Sequence, residues 1–204
     1  MRRTLRALCV GAVATLALAT PAAAGDAQAG GGSLYQIPGS WTDQNGRPFA
    51  LSSLRGSPVL LVLFYGTCDS VCPTVVRDAK KVEALLPEAD RRRTRFVLVT
   101  IDPQVDTPEH LLAYARQHDL DLSRWTLLNG PPEQVRVLAN AIGFKYRPTG
   151  TGQYSHTIRL TVLDREGNVA EEADGLERPL EPIAARLSAL LAAAPAPARE
   201  PPRP

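Results

Sequence analysis

Two long apolar runs constrain the fold of this chain more than any other feature of its sequence. Pro58 to Phe64 and Phe96 to Ile101 are rich in strand-forming residues, and such runs are typical of strands buried on both faces of a sheet. Between them, Pro73 to Leu86 carries apolar residues at helical spacing behind a proline in the first helical position. A strand, a helix and a strand in this order predict a parallel crossover.

Several further segments complete a mixed sheet with helices on its faces. Trp41 to Phe49 contains an Asn-Gly turn between short extended pieces, which predicts an N-terminal hairpin. The other predicted elements are a helix from Thr107 to about His118, a short strand at Trp125 to Leu128, a helix from Pro131 to about Ile142, a strand from His156 to Leu163, a returning strand from Asn168 to Glu172 and a helix from Glu181 to Leu191. A central mixed sheet flanked by helices, with a parallel half and an antiparallel hairpin, is an α/β arrangement of the thioredoxin-like type.

The first residues of the chain predict export. A basic start is followed by an apolar stretch from Leu5 to Ala19 and by small residues up to Ala24, which is the pattern of a secretory signal peptide. The stretch is shorter than the roughly 20 residues of a membrane-spanning helix. We therefore expect residues 1–24 to be a cleaved signal peptide and the mature protein to be soluble in the periplasm. Residues 25–33 are then a flexible linker, 34–191 one domain, and 192–204 a disordered Pro/Ala tail.

The charge of the expected mature chain argues against nucleic acid as a partner. The whole sequence has 23 Lys and Arg and 21 Asp and Glu residues. Because the leader carries three of the arginines, 20 basic residues remain against 21 acidic ones. A net charge so close to zero gives no electrostatic reason to bind nucleic acid or an anionic membrane. We also expect a monomer, since no long amphipathic seam predicts a dimer.

Removal of the leader takes Cys9 with it and leaves two cysteines, Cys68 and Cys72. Both lie where the first buried strand ends and the helix begins. A disulfide that closes so small a loop gains little chain entropy, so a structural staple explains the pair poorly. Pro73 favours an extended Cys72, which lets the spacer bring Cys68 back towards it. A helix N-terminus stabilises a thiolate, so we expect Cys72 to be the N-cap with the lowered pKa and Cys68 to be the more exposed sulfur.

The spacing of the cysteines leaves disulfide exchange and soft-metal binding open. The spacer has three residues, whereas the familiar oxidoreductase motif has two, which weakens the exchange hypothesis without removing it. The only methionine is the initiator, so a thioether copper site is excluded. His110 and His118 occupy polar positions of a predicted helix, where we expect them to face solvent. His156 follows the Gly-rich stretch Thr149 to Gln153 at a strand end, and is the better candidate ligand.

Three motifs in the same order and with comparable spacing resemble the Sco/SenC family of copper-binding assembly proteins for cytochrome c oxidase. They are the Cys-x-x-x-Cys-Pro segment from Cys68 to Pro73 behind an apolar strand, the segment from Ile101 to Pro108, and the segment from Tyr154 to Thr157. The similarity covers roughly Ser40 to Leu176. Three co-linear motifs are far more specific than any one of them.

The resemblance implies a thioredoxin fold in which Cys68, Cys72 and His156 bind copper, as Cu(I) or Cu(II). It also implies delivery of copper to, or reduction of the cysteines of, the dinuclear copper centre in oxidase subunit II. Another copper-receiving client, or other periplasmic copper or thiol-redox proteins, are further partners consistent with it. The family often has proline and aspartate after its first cysteine, where this chain has Asp69 and Ser70; the three ligands are unaffected.

The chemistry of the donor set agrees with that resemblance. Two thiolates and one imidazole suit Cu(I), whereas a structural zinc site normally requires a fourth protein ligand. The leading hypothesis is a metallochaperone that passes copper on by ligand exchange, and the rival is a thiol–disulfide oxidoreductase that uses Cys68 and Cys72 as a redox-active pair. Peroxide reduction is disfavoured, since no arginine marks the surroundings of Cys68. Asp102 and Asp106 are expected to shape the turn, tune the site or meet the partner, but not to bind metal.

Overall fold

A mixed β-sheet forms the centre of the computed structural model, which describes residues 32–68, 72–150 and 152–193. The predicted signal peptide, most of the predicted linker and the tail beyond residue 193 lie outside these residues. The strands of the sheet are β1 (Trp41–Asp43), β2 (Pro48–Phe49), β3 (Val59–Phe64), β4 (Arg95–Thr100), β5 (Trp125–Asn129), β8 (Arg159–Leu163) and β9 (Val169–Asp174). They lie in the order β2-β1-β5-β4-β3-β8-β9.

Five α-helices and a second, smaller sheet surround this centre. The helices are α1 (Cys72–Leu85), α2 (Glu88–Arg91), α3 (Pro108–Gln117), α4 (Pro132–Ala141) and α5 (Glu181–Ala192), and two short 3-10 helices span Leu34–Gln36 and Leu51–Leu54. The smaller sheet consists of β6 (Tyr146–Pro148) and β7 (Tyr154–His156). Within the described part of the chain, none of the helices is both long and apolar enough to cross a membrane.

The predicted parallel crossover is confirmed. β3 pairs in parallel with β4, from Val59 opposite Arg95 to Phe64 opposite Thr100, and α1 connects the two strands. Every residue of β3 is buried, because the strand lies between two neighbours and has helices or loops over both faces. Parallel pairing brings the carboxyl ends of β3 and β4 to the same edge, where the loops that follow them meet.

The N-terminal hairpin is confirmed as well, and it extends the main sheet. β1 pairs antiparallel with β2 on one side and with β5 on the other. The turn between β1 and β2 contains Gly46 with a φ of 74°, a left-handed conformation that glycine adopts without strain. The side chain of Ser33 accepts a hydrogen bond from the N–H of Tyr35, and its hydroxyl donates to the carbonyl of Glu166 in the turn between β8 and β9.

One predicted strand is wrong in its bounds, and the error concerns His156. The sequence pattern predicts a single strand from His156 to Leu163, but His156 is the last residue of β7 and the main sheet resumes only at Arg159. The reason lies at Thr157, whose N–H donates to the carbonyl of Lys145 at 2.8 Å and whose hydroxyl accepts from the Lys145 N–H at 3.0 Å. These bonds tie Thr157 to the base of the β6–β7 hairpin and separate β7 from β8.

A buried ion pair fixes α1, the helix that carries Cys72, to the segment before α5. The carboxylate of Asp78 lies 3.1 Å from Lys81 Nζ and 3.9 Å from Arg178 Nη2. The side chains of Asp78 and Arg178 are only 9% and 8% exposed. Burial lowers the pKa of Arg178, and the charge of Asp78 opposes that shift. The carboxylate therefore compensates a guanidinium that has little access to water.

Replacement of Asp78 by alanine should destabilise the protein. We expect Asp78→Ala to lower the free energy of unfolding by about 3 kcal/mol, because loss of one partner leaves a buried charge uncompensated. Urea denaturation followed by circular dichroism measures this change. Glu88→Ala is the matched control: Glu88 pairs with Arg91 and Arg92 at a position where its side chain is 60% exposed, so the loss should stay below about 1 kcal/mol. Equal effects of the two substitutions would contradict the interpretation.

Candidate metal centre

The three residues that the sequence singles out as ligands come together in the structure. The sulfurs of Cys68 and Cys72 and a ring nitrogen of His156 all lie within 4.8 Å of one another. The Nε2 atom of His156 is 3.4 Å from the sulfur of Cys72. Among the described residues, this is the one group of three or more His, Cys, Asp or Glu side chains with such a geometry. His110 and His118 lie outside it.

The loop after β3 presents the two sulfurs at the carboxyl edge of the sheet. The N–H of Cys68 donates to the carbonyl of Tyr65 at 3.3 Å, and the N–H of Cys72, the first residue of α1, donates to the sulfur of Cys68 at 3.3 Å. Cys68 is 6% exposed and Cys72 is completely buried, which agrees with the expectation that Cys68 is the more accessible sulfur. The sulfurs are not bonded to each other.

The expected low pKa of Cys72 is wrong. Burial is the largest influence on this thiol and raises its pKa well above the ordinary value. A backbone hydrogen bond from Tyr65 acts in the other direction, but it does not compensate for the lost hydration of the thiolate. The position at a helix N-terminus therefore does not decide the ionisation of a cysteine that no water reaches. Cys72 keeps its proton at neutral pH until something else, such as a cation, replaces it.

The imidazole of His156 is oriented by its own backbone neighbour. Its Nδ1 lies 2.7 Å from the carbonyl oxygen of Thr157, and because a carbonyl can only accept, Nδ1 donates in this contact and Nε2 is left to face the sulfur of Cys72. The ring stacks on Phe144, with centroids 5.8 Å apart and planes 21° from parallel, and meets the ring of Tyr65 edge to face at 5.7 Å. A fixed tautomer that directs Nε2 towards the sulfurs is the arrangement of a metal-ligating histidine.

The carboxylate of Asp106 binds the backbone at the start of the cysteine loop. This completely buried residue accepts hydrogen bonds at Oδ2 from the N–H of Gly66 at 2.9 Å and from the hydroxyl of Thr100. Its Oδ1 lies 2.9 Å from Nδ1 of His110. A Cβ atom at position 66 would approach that oxygen to 2.6 Å, so glycine lets the loop pass close to the carboxylate. Asp106 thus positions the loop and does not belong to the ligand cluster.

Asp102 reaches a different part of the site, the side chain of Tyr154 on β7. Burial raises the pKa of this carboxyl group, while its hydrogen bond with Tyr154 lowers it. The N–H of Asp102 donates to the hydroxyl of Thr100 at 3.0 Å. The sequence predicts that Asp102 and Asp106 lie near the site. It gives no signal that Asp106 binds the cysteine loop and that Asp102 binds the hairpin of His156.

The chain resembles known proteins over most of its length. The model of the SCO1/SenC family matches residues 28–192. A protein of Stutzerimonas stutzeri that is named for copper binding is 29% identical over 151 residues, which cover 69% of this chain and 72% of that protein. The structure of Bradyrhizobium japonicum ScoI with copper bound aligns with a TM-score of 0.63 and 29% identity, covering 75% of this chain and 97% of that one.

A second solved structure confirms the predicted thioredoxin-like fold. The SCO1/SenC family lipoprotein of Bacillus anthracis aligns with a TM-score of 0.69 and 25% identity over 74% of this chain and 92% of its own. The two alignments cover 75% and 74% of this chain, far more than one motif. Since the family model spans the whole domain and the fold agrees with that of solved members, the chain belongs to the SCO1/SenC family.

Proposed function

We propose that this chain is a copper metallochaperone in which the thiolates of Cys68 and Cys72 and the Nε2 atom of His156 hold the metal. The observation that supports the proposal best is the convergence of these three ligand atoms within 4.8 Å, although two of them come from one loop and the third from a separate sheet. The copper-bound ScoI of B. japonicum and the S. stutzeri relative named for copper binding point to the same metal.

The donor set suits a soft metal that must later be released. Thiolate sulfur and imidazole nitrogen are ligands that Cu(I) prefers, and among the residues that the structure describes no carboxylate or thioether belongs to the cluster. A zinc ion in a structural role would normally require a fourth protein ligand. Three protein ligands leave room for an incoming thiolate of a client protein.

The unequal burial of the ligands suggests the order in which they let the metal go. Cys72 is completely buried, Cys68 is 6% exposed and His156 is half-buried. A client thiolate therefore approaches from the side of Cys68 and His156, and the bond to Cys72 is the last to break. Ligand exchange of this kind requires no net reaction other than movement of the metal and of the thiol protons.

The proposed place of action is the periplasm, and the proposed client is subunit II of cytochrome c oxidase. The signal-peptide pattern of residues 1–24 supports export. The Sco family is known as a family of cytochrome c oxidase assembly proteins, which favours the dinuclear copper centre of that subunit as the acceptor. Delivery to a different copper-receiving protein of the periplasm would use the same exchange of thiolate ligands on the metal.

Copper titration tests the role of the histidine. In the full chain with Cys9→Ser, so that only the paired thiols remain, we expect one Cu(I) per chain in an anaerobic competition with a coloured Cu(I) chelator. His156→Ala should raise the dissociation constant by about 100-fold or more, because even outer-shell partners of a metal ligand contribute 10- to 100-fold.

The control for this titration is His118→Ala. His118 lies at the end of α3, where its ring packs against Tyr114, and its loss should leave the affinity within about twofold of the parent chain. If His156→Ala and His118→Ala bind copper equally tightly, the imidazole is not a ligand and the three-ligand site is incorrect.

A second function, thiol–disulfide exchange, is favoured by one observation. The N–H of Cys72 donates to the sulfur of Cys68 at 3.3 Å, so the two sulfurs are close enough to form a disulfide after a small movement. Exchange at neutral pH, however, requires an attacking thiolate. The raised pKa of Cys72 disfavours this residue as the attacking group, and copper, which displaces the thiol proton, has no such requirement.

The ionisation of Cys72, followed by the carbon NMR signal of its Cβ atom, checks this distinction. Because burial raises the pKa of Cys72, this signal should keep its thiol position at pH 10 in the folded, metal-free chain. In the urea-unfolded chain it should move to the thiolate position around the ordinary pKa of about 8.5. A Cys72→Ser variant identifies the signal. A folded-state transition below pH 8 would instead support the oxidoreductase.

A further inference from the structure

Tyr65 connects the cysteine loop with the hairpin that carries the histidine. It directly follows β3 and is 2% exposed. Its hydroxyl donates to Oε1 of Gln153 at 2.8 Å and accepts from the backbone N–H of Tyr154 at 3.3 Å. Both partners belong to the β6–β7 hairpin, about 88 residues further along the chain. One side chain thus forms two hydrogen bonds between the segments that supply the metal ligands.

The same residue also contacts the ligands themselves. Its hydroxyl interacts with the side chain of Cys68, and its backbone forms a hydrogen bond with the sulfur of Cys72. Its ring meets the His156 ring edge to face, with centroids 5.7 Å apart. Tyr65 therefore contacts all three proposed ligands while its hydroxyl donates to Gln153.

The hairpin depends on contacts of this kind for its position. β6 and β7 form a sheet of their own and share no ladder with the seven-stranded sheet, and an isolated two-stranded hairpin is marginal in water. Phe144 and Thr157 hold the imidazole from within the hairpin and its base. Asp102 holds the side chain of Tyr154 from the loop after β4. Besides His156 itself, Tyr65 contacts both the hairpin and the two cysteine side chains.

We propose that Tyr65 is a positioning residue of the metal centre, whose hydroxyl sets the distance between the His156 imidazole and the two sulfurs and thereby the retention of copper. The proposal rests on the proposed copper function. It goes beyond that function because it assigns control of the third ligand to a residue that binds no metal. Loss of the hydroxyl removes its contact with Cys68 but leaves the backbone bonds of the cysteine loop, from the Cys68 N–H to the Tyr65 carbonyl and from the Cys72 N–H to the Cys68 sulfur. It should therefore mainly reduce the share of copper that the imidazole holds.

The first test compares Tyr65→Phe with Tyr146→Phe in the full chain. Both substitutions remove one phenol oxygen and keep the ring, but Tyr146 lies on β6 with its ring under Arg136, 5.4 Å from the guanidinium carbon. In the metal-free protein, Tyr65→Phe should accelerate amide hydrogen exchange at Tyr154, which loses its acceptor, by about 10-fold. With Cu(I), it should raise the dissociation constant by about 10-fold. Tyr146→Phe should change neither quantity by more than about twofold.

The second test shows whether Tyr65 acts through the imidazole. In a His156→Ala background, Tyr65→Phe should have no further effect on copper affinity, since the group that it positions is absent. The nitrogen NMR signal of His156 Nε2 should shift less on Cu(I) addition in Tyr65→Phe than in the parent chain. If Tyr65→Phe folds poorly, Gln153→Leu replaces it in this test. This variant removes the acceptor of the Tyr65 hydroxyl without changing the cysteine loop, and it should also weaken copper binding.

The outcomes separate this proposal from the function on which it rests. A parent chain that binds no copper overturns the metallochaperone and the positioning role together. A parent chain that binds copper, with Tyr65→Phe of equal affinity, overturns the positioning role alone. Equal weakening by Tyr65→Phe in the parent and in the His156→Ala background also overturns it, because the hydroxyl then acts on general stability rather than on the imidazole.

Discussion

The parallel pairing of β3 with β4 is the interaction on which the rest of the structure depends. It places the buried ends of two strands side by side, Phe64 opposite Thr100, so that the loops after them share one edge of the sheet. That proximity lets Asp106 accept the N–H of Gly66 and hold the start of the cysteine loop. Without the crossover, the sulfurs would have no fixed place to which the imidazole of His156 could be directed.

Burial, rather than the helix dipole, determines the chemistry of the sulfur pair. A thiol at the first turn of α1 has the N-terminal position that favours a thiolate, yet the completely buried Cys72 has a raised pKa. Lost hydration is the largest influence on the pKa of this thiol. A cysteine in this environment is poorly suited to act as a permanently ionised nucleophile.

The sequence predicts the elements of the main sheet well and the surroundings of the site only in part. The apolar runs of β3 and β4 and the proline in the first turn of α1 are local patterns, and the structure has the predicted elements at these places. It also brings the side chains of Cys68, Cys72 and His156 together. The division between β7 and β8 depends on the bonds of Thr157 to Lys145, and the role of Tyr65 depends on Gln153. Such contacts between distant residues leave no periodic signal, so no pattern along the chain indicates them.

The separation of the donors along the chain has a consequence for assembly. The imidazole lies 84 residues after the second sulfur, and a chain that is synthesised or exported from its N-terminus exposes both thiols well before it. If the proposed ligand set is right, a partly emerged chain offers a soft cation two sulfurs without the third donor. Full coordination then coincides with completion of the tertiary structure, and the occupied protein should resist unfolding more than the empty one, because the unfolded chain offers no comparable three-donor site.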